Sequence, residues 1–260
     1  MAYKRKEVIG DCVLYLGDCQ DFAPLLNCID TVFTSPPYNC GKEYGSSSDS
    51  LKVRDYKAFL KKALIVDARV KVINVGQYQG SRQSRKSLPG IICDAVCSFP
   101  VEEVLWDKGP PNGAAWGNYP NSPRVRAQHE SLLVFGDLTM PNGNGLDWSE
   151  WSRLTTSIWR VQANVDLSIH PAMMPVELAR RAVSLWSDVD GTVYDPFMGS
   201  GTTGVACVGV GRKFIGVELD AAHFETACKR IEEAYKQPSL FPAEKPKPAK
   251  TGNLFEGTAA

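Results

Sequence analysis

The decisive stretch is Thr192-Val193-Tyr194-Asp195-Pro196-Phe197-Met198-Gly199-Ser200-Gly201-Thr202-Thr203-Gly204. Thr192 to Tyr194 is β-branched and aromatic and reads as a strand, and Asp195-Pro196 stops it. Gly199 to Gly204 then spells G-x-G-x-x-G, and the residues from Thr203 onward begin a helix. A second strand, residues 213–217, follows and ends at Glu218. Strand, glycine turn and helix in that order form the context in which this spacing binds an adenosine-bearing cofactor. Glycines let the backbone approach a ligand, the helix start receives a negative group, and a carboxylate at the next strand end accepts ribose hydroxyls. No Gly-Lys-[Ser/Thr] follows the glycines, which argues against a nucleotide triphosphatase. A nicotinamide cofactor remains open on the turn alone. Asp195 tips the reading, because an acidic strand end repels a pyrophosphate and welcomes the cationic methionine part of S-adenosylmethionine.

Elements of the same kind extend outward from this turn. Residues 8–16, 30–34, 70–75, 103–106 and 131–135 read as strands. Residues 56–67, 175–186 and 222–235 carry apolar positions at helical spacing, and residues 21–26 are weakly helical. Strands alternating with helices predict an α/β chain: a single Rossmann-like domain over residues 1–235, with a largely parallel twisted sheet and helices on both faces. Two stretches are irregular, residues 108–122 and 137–154, and loops of that length inside a domain are commonly functional. Residues 236–260 are rich in proline, lysine and small residues, and are expected to be a disordered tail.

A second motif ends the strand over residues 30–34: Thr34-Ser35-Pro36-Pro37-Tyr38-Asn39. Consecutive prolines stiffen the backbone and remove two N–H groups, leaving carbonyls rigidly aimed. Methylation of an aromatic amine needs such a site, because the nitrogen lone pair is delocalised into the ring. Acceptors at Ser35 Oγ and the Pro36 carbonyl bind the amino hydrogens and draw the nitrogen toward tetrahedral geometry. Tyr38 stacks on the base. The base must first leave a duplex, at a cost of a few kcal/mol. The plain alternative is a proline-stiffened loop with a packed tyrosine.

Ser-Pro-Pro-Tyr together with Asp-Pro-Phe-Met-Gly-Ser-Gly-Thr-Thr resembles the amino-methyltransferases of DNA, and the order of the two turns is similar to their β class. Gly17-Asp18-Cys19, Asn74-Val75-Gly76, Leu105-Trp106-Asp107-Lys108, His129-Glu130-Ser131 and His170-Pro171 extend the likeness over most of residues 8–235. The resemblance implies a catalytic pocket of Ser35, Pro36, Pro37 and Tyr38. It implies a site for S-adenosylmethionine lined by Thr34, His170, Asp195, Pro196, Phe197, Gly199, Ser200, Gly201, Thr202, Thr203 and Glu218, with Asp18 near the adenine. It implies transfer to cytosine N4 or adenine N6. Serine in the catalytic turn leans the choice toward cytosine, since family members with aspartate there are more often adenine enzymes. Chemistry at cytosine C5 needs a cysteine nucleophile, commonly after proline, and no proline precedes a cysteine here.

Specificity for a DNA sequence is assigned to the recognition loops, residues 107–128 and 137–168. They carry Trp116, Tyr119, Arg124 and Arg126, then Trp148, Trp151, Arg153, Trp159 and Arg160. Those tryptophans serve either as stacking groups or as core. Arg82, Arg85, Lys86, Lys108, Arg124 and Arg126 are candidate DNA contacts, although the chain as a whole has zero net charge and shows no overall basic bias. The eight cysteines and three histidines are scattered, so no metal site is expected. The absence of a long apolar run or polar-to-apolar leader points to a cytoplasmic protein with no membrane span. In the tail, Gln237, Leu240 and Phe241 resemble the short peptide with which bacterial proteins dock on the replication sliding clamp. A homodimer is a further expectation. Three rivals stand beside the methyltransferase reading: a nicotinamide oxidoreductase, which leaves Ser-Pro-Pro-Tyr without a role, a DNA-binding module that has lost catalysis, and the same chemistry on RNA.

Overall fold

A computed structural model of the chain describes residues 3–26, 29–39, 43–44, 47–48, 51–79, 86–109, 128–162 and 174–237. In chain order the elements are β1 (Tyr3–Ile9), β2 (Cys12–Gly17), α1 (Cys19–Phe22), β3 (Ile29–Thr34), β4 (Glu43–Tyr44), β5 (Ser47–Ser48), α2 (Val53–Ala63), β6 (Ala68–Val75), β7 (Tyr78–Gln79), β8 (Lys86–Ser87) and α3 (Leu88–Val96). They continue with β9 (Glu102–Asp107), β10 (His129–Gly136), α4 (Trp148–Leu154), β11 (Ile158–Arg160), α5 (Val176–Trp186), β12 (Thr192–Asp195), α6 (Thr202–Val210), β13 (Lys213–Glu218) and α7 (Ala221–Lys236).

Nine strands form one sheet in the order β1-β2-β13-β12-β3-β6-β10-β9-β11. The strands from β2 to β6 run parallel, β10 is antiparallel to both its neighbours, and β1 closes the other edge antiparallel to β2. Side chains alternate between the two faces, as the two-residue period of a strand requires. Phe33, Val70, Val72, Leu132 and Val134 pack with α5, α6 and α7. Ile73, Val75, Leu133 and Phe135 pack with α2 and α3 on the opposite face. Both faces are covered, which is why the central strands read as continuous apolar runs. The expected Rossmann-like α/β architecture is the one observed.

Several elements differ from the sequence reading, among them β1, which begins at Tyr3 rather than residue 8. The helix expected over residues 56–67 starts at Val53 and ends at Ala63, because Tyr56, Leu60 and Ala63 are its buried stripe. α3 was not foreseen. Its start, Leu88-Pro89-Gly90, looks like a turn, but proline suits a first helical turn and Ser87 Oγ accepts the Gly90 N–H at 3.3 Å. The stretch over residues 137–154, read as irregular, holds α4, and β11 follows it. Trp159 of β11 is buried with its ring 5.4 Å from Trp186, and its Nε1 donates to the Leu154 carbonyl at 2.9 Å. Part of the second recognition loop is therefore scaffold, and Trp159 is core.

The chain turns back between β12 and β3. From β12 it proceeds through α6 to β13 on one side, and from β3 through α2 to β6 on the other. In open α/β sheets the crevice at such a reversal, at the carboxyl ends of the strands, is where ligands bind. The glycine turn sits there and is shaped by α7. Gly201 has φ +81°, and a Cβ placed on it lies 2.9 Å from Ala227 Cβ and 3.0 Å from Ala227 Cα. Gly201→Ala is thus expected to lower the unfolding free energy by about 1–3 kcal/mol through overpacking and backbone strain. Urea unfolding measures this, and an unchanged midpoint would refute the packing account.

Candidate functional site

The two motifs meet at the carboxyl edge of β3 and β12. The ladder between these strands covers only Val193↔Thr31 and Tyr194↔Val32, after which their ends are joined by side chains. Thr34 Oγ1 donates to Asp195 Oδ1 at 2.6 Å, and Thr203 Oγ1 donates to Asp195 Oδ2 at 2.6 Å. The Phe197 N–H donates to Asp195 Oδ1 at 3.0 Å. Asp195 is 3% exposed. Burial drives its pKa up to about 6, against the opposing pull of Thr203, Thr34 and the Phe197 amide. Its carboxylate therefore faces inward and ties the Ser-Pro-Pro-Tyr turn to the first turn of α6.

Glu218 shapes the other side of the glycine turn. Its Oε2 accepts the Gly199 N–H at 2.8 Å and its Oε1 accepts the Asp220 N–H at 2.8 Å. Burial again raises its pKa. A carboxylate has about four acceptor positions, so capacity remains for ribose hydroxyls. Arg230 of α7 holds the turn from behind. Its NH1 donates to the Ser200 carbonyl at 2.6 Å, to Ser200 Oγ at 2.8 Å and to Thr202 Oγ1 at 3.2 Å. Gly199 differs from Gly201: its φ is +54°, and among the described residues an added Cβ would meet nothing nearer than the Phe197 carbonyl oxygen, at 3.9 Å. Among the described residues the backbone beside Gly199 is thus open to close approach, as a cofactor cradle requires. At the end of β2, Asp18 caps α1, its Oδ1 accepting the Gln20 N–H at 2.9 Å.

The catalytic turn is fixed at several points. Tyr56 Oη donates to the Pro37 carbonyl at 2.5 Å. Asn39, at φ +53°, brackets Leu51, donating from Nδ2 to its carbonyl at 2.7 Å and accepting its N–H at 2.6 Å. The Tyr38 ring lies against the end of β6, where a Cβ on Gly76 would come within 3.3 Å of Tyr38 Cε2. Tyr38 Oη is 3.1 Å from Ser35 Oγ, 3.1 Å from Asn74 Nδ2 and 2.9 Å from Glu130 Oε2. Asn74 is buried, and among the described residues its Oδ1 has no hydrogen-bond partner.

Sequence reasoning overlooked Asn39, Tyr56, Asn74, Glu130 and Arg230 as working residues. Asn74 left a signal, a lone amide within the otherwise apolar end of β6, Val72-Ile73-Asn74-Val75. Among the candidate DNA contacts, Lys86 is exposed on β8. Lys108, with its side chain 33% exposed, pairs with Glu130 and lies 4.7 Å from the Trp106 ring centroid. Trp148 is 77% exposed and stacks on Trp151 at 5.2 Å. Arg82, Arg85, Arg124, Arg126, Trp116, Tyr119 and His170 lie outside the described residues, as do Leu240 and Phe241, while Gln237 follows α7. No described helix is long and apolar enough to cross a membrane.

The sequence profile of the N6/N4 DNA methylases matches residues 29–229. The type II methyltransferase M.ScaI of Streptomyces caespitosus is 25% identical over 252 residues, covering 86% of this chain and 82% of its own. The DNA adenine methyltransferase YhdJ of Escherichia coli K12 is 25% identical over 264 residues, covering 87% and 83%. Two solved structures share the fold. PvuII DNA methyltransferase, a cytosine-N4-specific enzyme, superposes with a TM-score of 0.68 at 18% identity over 90% of this chain and 95% of its own. M1.HpyAVI in its complex with S-adenosylmethionine gives 0.56 at 22% identity over 85% and 98%.

The buried Asp195 makes a pH prediction. Its pKa in the folded chain, about 6, lies above the ordinary 3.8, so the folded state binds the proton more tightly than the unfolded chain. Its contribution to stability is present at low pH and is lost as pH rises toward and through 6. Wild type should therefore gain on Asp195→Asn, by on the order of 2 kcal/mol, as pH falls from 7.5 to 4.5. Paired urea unfolding curves measure the gap, and a gap independent of pH would contradict the assigned burial.

Proposed function

The chain belongs to the N6/N4 DNA methylase family, and from that membership we propose that it transfers a methyl group from S-adenosylmethionine to the exocyclic amino group of a base flipped out of double-stranded DNA, with cytosine N4 the preferred acceptor. The observation that carries this reading is the Thr34–Asp195–Thr203 bridge, which holds the Ser-Pro-Pro-Tyr turn beside the glycine turn.

When bound, S-adenosylmethionine supplies an electrophilic methyl group on a sulfonium. Phe197, Gly199, Ser200, Gly201 and Thr202 form its cradle in this reading, with Glu218 on the ribose, Asp18 near the adenine and His170 toward the methionine end. Asp195, Thr34 and Thr203 set the shape of that cradle from beneath. Ser35 Oγ and the Pro36 carbonyl accept the two amino hydrogens. Those bonds hold the nitrogen in one place and turn its lone pair out of the ring plane, which is positioning combined with electrostatic stabilisation. Tyr38 stacks on the base, and this offsets part of the cost of leaving the duplex. Residues 1–235 form the catalytic domain in this reading, with residues 107–128 and 137–168 supplying recognition. Clamp docking through Gln237, Leu240 and Phe241, and pairing of two copies, belong to the same reading.

Ser35 favours cytosine over adenine by the family pattern. The relatives divide on this point, since YhdJ is an adenine enzyme and PvuII methyltransferase a cytosine-N4 enzyme. Digestion of methylated duplex DNA to nucleosides should release N4-methylcytosine. N6-methyladenine would reverse the base preference, and an unmodified duplex would remove the proposal. Tyr38→Ala should lower kcat by about 10- to 100-fold, the measured worth of one stacking ring, with cofactor affinity in equilibrium binding nearly intact. Full turnover in that variant would rule out the stacking role.

A further inference from the structure

The polar cluster behind the catalytic turn has a direction. A carboxylate accepts hydrogen bonds and donates none, and an ammonium donates and accepts none. Glu130, on β10, has a side chain only 13% exposed and is paired with Lys108 through Oε1. Its Oε2 receives Tyr38 Oη at 2.9 Å and Asn74 Nδ2 at 2.8 Å. The phenol therefore gives its one proton to Glu130. Asn74 Nδ2 also stands 3.1 Å from Tyr38 Oη and can only donate to it. Turning the Asn74 amide over would set its oxygen against the Glu130 carboxylate, so the amide is fixed as well.

Ser35 Oγ lies 3.1 Å from Tyr38 Oη. The phenol has no second proton to give, so in that bond the serine is the donor. With its proton committed to Tyr38, Ser35 presents lone pairs to the site. Asn74 Nδ2 takes at most a weak share of them, at 3.5 Å.

We propose that Glu130, anchored by Lys108, is a positioning residue. It sets the direction of the hydrogen bonds from Tyr38 to Ser35 and so keeps Ser35 Oγ an acceptor for the amino hydrogens of the substrate base. This rests on the reading that Ser35 receives that amine. It also accounts for an amide rather than a carboxylate at position 74. An aspartate there would crowd two negative groups, whereas Asn74 donates into the same chain. A glutamine at position 130 has an N–H group of its own. It can donate to Tyr38 Oη, the phenol proton can then turn toward Ser35, and the serine proton can face the incoming N–H groups, donor against donor.

The test is steady-state methyl transfer to duplex DNA by Glu130→Gln, Ser35→Ala and the double variant. Glu130→Gln should lower kcat by about 10- to 100-fold, the range for a lost charge-assisted hydrogen bond. KM for DNA and for S-adenosylmethionine should stay nearly unchanged, and Glu130→Asp should recover part of the loss. Ser35→Ala keeps some turnover through the Pro36 carbonyl. In that background Glu130→Gln should cost nothing more, because the hydroxyl it orients is gone. Wild-type turnover in Glu130→Gln overturns the proposal, and so does an equal further loss in the Ser35→Ala background. Wild-type turnover in Ser35→Ala shows instead that the assignment of Ser35 fails, and the inference falls with it. If Glu130→Gln does not fold, Tyr38→Phe breaks the same chain while keeping the ring. It should show the same loss and the same lack of additivity with Ser35→Ala, and full turnover in Tyr38→Phe overturns the proposal.

Discussion

One buried carboxylate holds the two halves of the site in register. Asp195 accepts hydrogen bonds from Thr34 at the end of β3, from Thr203 in the first turn of α6 and from the amide of Phe197. Taking a charge out of water costs several kcal/mol unless it is bonded, and the rise of the Asp195 pKa to about 6 reflects that cost. The return is geometric. Where the β3–β12 ladder stops, the strand ends are free to splay and open a crevice, and the Asp195 side chain limits how far. Thr34 immediately precedes Ser35, so the position of the catalytic turn is set from the cofactor turn.

The glycine turn then divides into two devices. Gly201 and Gly204 are small because α7 and β13 lie against them: a Cβ on Gly204 would fall 2.9 Å from Phe214 Cδ1. Gly199, at φ +54°, has nothing nearer than the Phe197 carbonyl oxygen around it among the described residues. Glu218 and Arg230 hold the loop between them, one accepting the Gly199 amide and the other donating to the Ser200 carbonyl. The spacing of these glycines is thus partly set by the packing of α6 against α7 and β13 and only partly by a ligand.

Much of this was legible in the sequence because it is local. The strand–turn–helix over residues 192–210, the proline stop after Thr34 and the apolar stripes of α5 and α7 each declare themselves within a short contiguous stretch. What escaped depends on partners distant in the chain. Tyr56 reaches Pro37, Glu130 reaches Tyr38 across 92 positions and Arg230 reaches Ser200. α3 escaped because Pro89-Gly90 carries a turn signal that Ser87 and the buried Ile91 and Ile92 override. Trp148, Trp151 and Trp159 look alike in sequence, yet only Trp159 is core, because β11 adds it to the sheet edge. Both threonine partners of Asp195, Thr34 and Thr203, lie 161 and 8 positions away, and no local pattern announces them.

The central claim is that the Asp195 bridge sets an extruded amine at Ser35 against the cradle at Gly199. A crystal structure with S-adenosylhomocysteine and a duplex bearing the target base tests it most directly. The account predicts the amino nitrogen about 3 Å from Ser35 Oγ and about 3–3.5 Å beyond where a methyl carbon would sit on the cofactor sulfur, with Thr34 and Thr203 still on Asp195. A cofactor bound away from Gly199, or a base lodged out of reach of Ser35, would contradict it.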